Sequence, residues 1–208
     1  MTLSDTEYAA TAAAARLFRS YERHCTVADE DALFDFLNAL HSLGDKISAL
    51  GRPNLNPSPN FQALRALRNL YHHEAELLQA ARTINAANLP TISSDLAILC
   101  LIPDASVERI IARAKDENER EAIRAKIQRY GSAANIEPAI FNVMVDAYEL
   151  LGDKGTTPED AAFARFRGQY DFETLHGYDH RVTGTLSAHA GSISEILATL
   201  LQAPKRAD

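Results

Sequence analysis

The chain has 208 residues, of which 46% are hydrophobic, so it can bury a sizeable core and does not have the composition of a disordered polypeptide. Its formal net charge of -7 argues against a broadly basic surface, so a contact with nucleic acid must rest on a local group of arginines. The cysteines, Cys25 and Cys100, suggest neither a disulfide framework nor a cysteine-rich zinc site, and no apolar stretch is long enough to span a bilayer, so we expect a cytoplasmic protein.

Helix start signals and helical spacing dominate the first part of the chain. Ser4 and Glu7 form a capping box, and Asp29 precedes a second set of apolar residues at helical spacing. Ser58, followed by proline, is the expected N-cap of a third helix. The predicted helices cover about residues 5–23, 29–50 and 59–81.

The second part of the chain also favours helices. Leu96 to Ile102 is continuously apolar, which fits a buried helix or a buried strand, and we prefer the helix. Further helices are predicted over about residues 107–130, 137–151, 161–166 and 192–201. Because alternation with a period of two is nearly absent, we predict an all-α protein. Residues 1–88 would form a bundle-like lobe, and residues 89–208 would be an additional helical region packed on it or extending it.

The third predicted helix carries a polar stripe that is equipped for chemistry. At about 100° per residue, its polar side chains fall within roughly 140° of arc and leave the opposite side apolar. The members of this stripe are Arg65, Arg68, Asn69, His72, His73 and Glu76. Guanidinium groups bind phosphate and imidazoles transfer protons near neutral pH, although a mixed polar stripe is often only a solvated helix face.

The second and third helices together resemble the HEPN superfamily over about residues 29–85. The resemblance rests on the phenylalanine-rich segment 33–37 and on the motif of Arg68, Asn69 and His73, with four residues between the arginine and the histidine. Members are small helical bundles with an arginine, a polar residue and then a histidine at such a spacing. The resemblance implies a metal-independent endoribonuclease without a cofactor, in which two copies of the motif face each other in a homodimer. It also implies a toxin or antiviral role, with an antitoxin or regulatory protein as partner.

The residue chemistry agrees with this resemblance. Asn69 and His73 are four residues apart, so the amide can orient the imidazole, while Arg68 can neutralise a phosphate. RNA supplies its own nucleophile, the 2′-hydroxyl, which needs deprotonation and charge neutralisation more than a metal. His72 shares the face of Arg68 more closely, so the sequence leaves open which histidine acts.

Three further residues have expected roles around this motif. Arg65 and Asp45 are candidates for substrate binding. Asp45 could orient the arginine or histidine of the motif, or be an ordinary surface carboxylate. Glu74 lies on the apolar face, where we expect a structural carboxylate that pairs with a cation such as Lys46 or points into an interface.

Two alternative functions stay open at this point. The first is a non-catalytic dimeric helical module that binds RNA, a nucleotide or a protein partner. The second is a metal-dependent enzyme that uses Glu173, His176 and His180, whose helical spacing is typical of metal ligands although Gly177 weakens the helix.

Overall fold

The computed structural model describes residues 4–27, 29–51, 53–89 and 91–203. Within these ranges the chain forms eight α-helices and six β-strands. The helices are α1 (Asp5–Val27), α2 (Glu30–Ala49), α3 (Pro59–His73), α4 (Asp104–Arg113), α5 (Glu117–Lys126), α6 (Glu137–Lys154), α7 (Ala161–His176) and α8 (Ile193–Gln202). The strands are β1 (Arg82–Asn85), β2 (Ile92–Ser93), β3 (Ile98–Pro103), β4 (Gln128–Tyr130), β5 (Ala133–Asn135) and β6 (Ser187–Ala188).

The prediction of an all-α fold is wrong, because the chain also contains β-sheets. A four-stranded antiparallel sheet has the order β1-β3-β5-β4, and β2 pairs separately with β6. The apolar run that we expected to be helical is β3, in which Thr83 pairs with Cys100 on one side and Asn135 with Leu101 on the other. Strand β3 is buried on both faces, so it lacks the alternation that would have distinguished it from a buried helix.

The charged segment 107–130 is also not one helix. Helix α4 ends before Ala114, and the Asp116 side chain accepts a hydrogen bond of 2.9 Å from the Glu119 N–H to begin α5. After Ile127 the chain continues into β4. No apolar residue lies between Ala114 and Ala122, and the break between α4 and α5 is located in this stretch.

The cap predictions for the first helices are confirmed. Ser4 and Glu7 form the reciprocal capping box, and Asp29 accepts a hydrogen bond of 2.6 Å from the N–H of Ala32, the third residue of α2. Ser58 caps α3. Helices α2 and α3 approach closely at Gly44, where an added Cβ would overlap the ring of Phe61.

Two apolar cores lie on opposite sides of the four-stranded sheet. The main core joins α1 to α7 and receives Cys100 and Ile102 from β3, while the smaller core lies under α8 and receives Leu99 and Leu101. The main core takes residues from both sides of residue 88, and the division of the chain at that residue stays a prediction. No helix in the described ranges is long and apolar enough to cross a membrane.

Candidate functional site

The predicted site lies at the C-terminal end of α3, which stops earlier than its sequence pattern indicates. The helix ends at His73, and Glu74 leaves helical geometry with φ -133° and ψ 67°. Residues 75–80 then form a 3-10 helix, so Glu76 does not belong to the polar stripe of α3. The two histidines therefore lie exposed in the last turn of the helix.

Glu74 has the structural role that we expected, but with different partners. Its two carboxylate oxygens bind Arg109 and Arg113 of α4, and not Lys46. The carboxylate is largely buried, whereas both guanidinium groups are about half exposed. The contact fixes α4 beside the end of α3.

Arg68 is held by two neutral amides. Its Nε donates a hydrogen bond of 3.0 Å to Asn38 Oδ1 on α2, and its Nη1 donates one of 3.4 Å to Asn69 Oδ1. None of the ion pairs among the described residues involves Arg68. Its positive charge is thus held in place without being neutralised, which suits the binding of an anion.

The two histidines are adjacent but not equivalent. Their ring centroids are 5.4 Å apart, with an angle of 59° between the ring planes. His73, together with Asn69, Arg113 and Glu119, lines a cavity of about 230 Å³ between α3, α4 and α5, and His72 does not. Asn69 is bonded to Arg68, and no hydrogen bond to His73 is present among the described residues, so its expected role in orienting the imidazole stays a prediction.

The two candidates for substrate binding do not join Arg68. Arg65 Nη2 lies 3.1 Å from Glu119 Oε1 of α5, and the arginine side chain is only 19% exposed. Asp45 is 71% exposed, and its carboxylate lies 3.9 Å from the Nε2 atom of His41. Neither is therefore an unpaired neighbour of the motif.

Asn38 was missed by the sequence analysis, although it performs the orienting role that we considered for Asp45. It lies on α2 between Leu37 and Leu40, both of which are buried. Nothing in the sequence around Asn38 distinguishes it from an ordinary polar residue of an amphipathic helix. Only the way α2 packs against α3 brings it to Arg68.

The residues of the metal-dependent alternative do not form a donor set in the described structure. His180 Nδ1 bonds Glu173 Oε2 at 2.9 Å, and its other nitrogen lies 3.2 Å from the Thr174 hydroxyl. His176 is exposed and donates to the Phe172 carbonyl oxygen at 2.7 Å. These contacts close the C-terminal end of α7, where Gly177 has a positive φ of 68°.

Comparisons with protein-family models, with curated proteins and with solved structures found no match to this chain. The chemistry of the site is therefore argued from its own residues. These offer a guanidinium held by amides, two exposed imidazoles and an adjoining cavity. Such a set can bind a phosphate and transfer protons.

Proposed function

We propose that the protein is a metal-independent endoribonuclease of the HEPN type, active as a cytoplasmic homodimer. The observation that carries this proposal is the Arg68 guanidinium, which is fixed by Asn38 and Asn69 and has no carboxylate partner among the described residues. His72 and His73 follow it by four and five residues, which is about 6–7.5 Å along the helix axis. The C-terminal end of α3 thus carries a guanidinium that can bind a phosphate and imidazoles that can transfer protons.

The proposed reaction needs no metal, because RNA carries its own nucleophile. His73 accepts the proton of the 2′-hydroxyl, the 2′-oxygen forms a bond to phosphorus, and the bond from phosphorus to the 5′-oxygen breaks. A second imidazole, from His72 or from the motif of the second copy, donates a proton to the leaving 5′-oxygen. Arg68 stabilises the charge on the phosphate oxygens, and the products are a 2′,3′-cyclic phosphate and a 5′-hydroxyl.

A non-catalytic module that binds RNA is the second candidate, because several neighbouring cations are already paired. Glu119 neutralises Arg65, and Glu74 binds both Arg109 and Arg113. Arg68 alone offers a weak electrostatic attraction for a polyanion. A protein of this kind would bind RNA without cleaving it.

A cleavage assay separates the two functions. The purified protein is incubated with end-labelled RNA, with and without EDTA in the assay, and the product ends are identified. We expect cleavage that survives EDTA and yields cyclic phosphate ends. Arg68→Ala and His73→Ala should each reduce the rate at least about 100-fold, which is typical of removing a proton-transfer or charge-stabilising group.

Matched controls are available in exposed residues far along the chain. Arg124→Ala and His176→Ala remove the same side-chain types from α5 and α7 and should leave cleavage unchanged. Comparing His72→Ala with His73→Ala assigns the histidine that acts. Intact RNA with the wild-type protein under all conditions would refute the ribonuclease proposal and favour the binding module.

A further inference from the structure

Three ionisable side chains from distant parts of the chain meet in the main core. His24 of α1 and Cys100 of β3 are fully buried, and Glu137 of α6 is 1% exposed. Their potential ligand atoms all lie within 4.8 Å of one another. A carboxylate is rarely buried unless it is paired or binds a metal ion, whereas a free cysteine is often buried.

The hydrogen bonds of this cluster leave one nitrogen of His24 without a partner. The Nε2 atom lies 2.9 Å from Glu137 Oε2, whereas the buried Nδ1 atom has no hydrogen-bond partner in the described structure. An imidazole that donates from Nε2 carries its lone pair on Nδ1. Nδ1 faces away from Glu137, so a metal ion held by His24 and Glu137 together would take the place of the Nε2 proton, which would move to Nδ1.

Two more buried polar atoms without partners border the same cluster. The Asn135 Oδ1 atom accepts hydrogen bonds of 3.2 Å from the N–H groups of Cys100 and Glu137, but its Nδ2 atom is unpartnered. The Tyr71 hydroxyl is also unpartnered, and burial raises its pKa. Buried polar atoms without partners are uncommon, and a group of them is typical of a site that holds a water molecule or an ion.

We propose that His24, Cys100 and Glu137 bind a zinc ion in the core. Imidazole, thiolate and carboxylate are the ligands that zinc uses, and a thiolate disfavours magnesium and calcium. One thiolate, one carboxylate and a neutral imidazole balance the charge of Zn²⁺, so the occupied site is neutral, as a buried site requires.

The geometry needs only a small adjustment. Ligand atoms around a tetrahedral zinc ion are about 3.5 Å apart, so shifts of about 1 Å bring the three donors from their present spacing into range. No fourth histidine, cysteine or acidic side chain joins the group among the described residues, so the fourth ligand of the ion would be a water molecule. The ion would tie α1, β3 and α6 together.

Zinc binding at this site is coupled to the loss of a proton. Burial raises the pKa of the Cys100 thiol well above its ordinary value, so the metal-free protein holds the proton. The zinc ion displaces it, the sulfur binds as a thiolate, and one proton passes to the solvent for each ion bound. The resulting thiolate is an anionic hydrogen-bond acceptor that the thiol is not.

Metal analysis and spectroscopy of the full chain test this site without reference to RNA cleavage. We expect about one zinc per chain when the protein is purified without a chelator. X-ray absorption at the zinc edge should show one sulfur at about 2.3 Å and nitrogen or oxygen at about 2.0 Å. Zinc added at 100 times its dissociation constant should raise the Tm of metal-free protein by roughly 5–10 °C.

Cobalt substitution identifies which cysteine binds the metal ion. The Co²⁺ form should show a thiolate-to-metal charge-transfer band that Cys100→Ser abolishes and Cys25→Ser, the matched control at the neighbouring residue of His24, retains. If Cys100→Ser does not fold, the zinc-edge spectrum of the wild-type protein still tests the proposal, because it shows whether a sulfur atom binds the ion. Absence of stoichiometric metal, or a zinc spectrum without sulfur as the exposed His72 and His73 would give, overturns the proposal.

Discussion

At the scale of single residues, two arginines one turn apart on α3 have opposite electrostatic states. Arg65 lies against Glu119, which reaches it from α5, and the two charges cancel. Arg68 lies against Asn38 and Asn69, whose amide oxygens accept its hydrogen bonds without removing its charge. The difference is not visible in the local sequence, because it depends on which side chain another helix brings to each guanidinium.

Cys25 gives a residue-scale prediction about stability in alkali. In the metal-free protein, burial and then the negative charge of Glu137 raise the pKa of Cys25 to about 12. Above pH 9 the unfolded chain releases this thiol proton while the folded chain keeps it, so stability falls as the pH rises. Between pH 9.5 and 11 the free energy of unfolding should drop by up to about 1.4 kcal/mol per pH unit from this group, as measured by urea denaturation.

The variant Cys25→Ser is the test of this assignment. It removes the titrating group and should make the alkaline decrease in the free energy of unfolding shallower by the same amount. Identical slopes for the wild-type protein and the variant would show that Cys25 titrates normally in the folded chain.

At the scale of elements, the sequence predicted the helix starts whose caps were recognised, and it failed where burial removes the pattern and at the break before α5, whose cap Asp116 was not recognised. The starts of α1, α2 and α3 carry Ser4, Asp29 and Ser58, whose hydrogen bonds are local and can be inferred from neighbouring residues. Strand β3 offers no such signal, because its apolar residues serve two cores. The short strands β4 and β5 are equally hard to predict, since their pairing depends on partners distant in the chain.

The close contact of α2 with α3 predicts that a larger residue at Gly44 destabilises the protein. Gly44→Ala places a methyl group into the buried Phe61 ring, and overpacking of this kind should lower the free energy of unfolding by about 1–3 kcal/mol. Gly168→Ala, on the open face of α7, is the matched control and should raise it by about 0.5–1 kcal/mol through better helix propensity. Chemical denaturation of both variants measures this difference, and equal stability of the two would contradict the close approach of α2 and α3.

At the scale of the whole molecule, the sequence could predict the motif of the candidate site but not its surroundings. Arg68 and His73 belong to one helix, so their spacing already places them on one helix end. Asn38 and Glu119 reach this helix from α2 and α5, and only the tertiary fold shows it. The buried cluster of His24, Cys100 and Glu137 is even harder to predict from the sequence, because His24 and Glu137 are 113 residues apart in the chain.

A substitution in the smaller core tests whether the stability of the fold depends on α8. Leu197 is fully buried against the sheet face that carries Leu99 and Leu101. Leu197→Ala should lower the free energy of unfolding by about 2–5 kcal/mol, whereas Leu175→Ala at an 81% exposed position should change it by less than about 0.5 kcal/mol. Denaturant titrations compare the two variants, and a small effect at Leu197 would mean that α8 is not packed as described.

The pairing of β3 with β5 has a consequence for the fidelity of folding. A slip of one residue in β3 would turn Cys100 toward the leucines of α8 and bring Leu101 against His24 and Glu137. It would also break the hydrogen bond from the Cys100 N–H to Asn135, whose side chain holds the start of α6 as well. Because β3 is apolar on both faces, its hydrophobic pattern alone distinguishes the two registers poorly, and the hydrogen bonds of Asn135 are what penalise a misaligned chain.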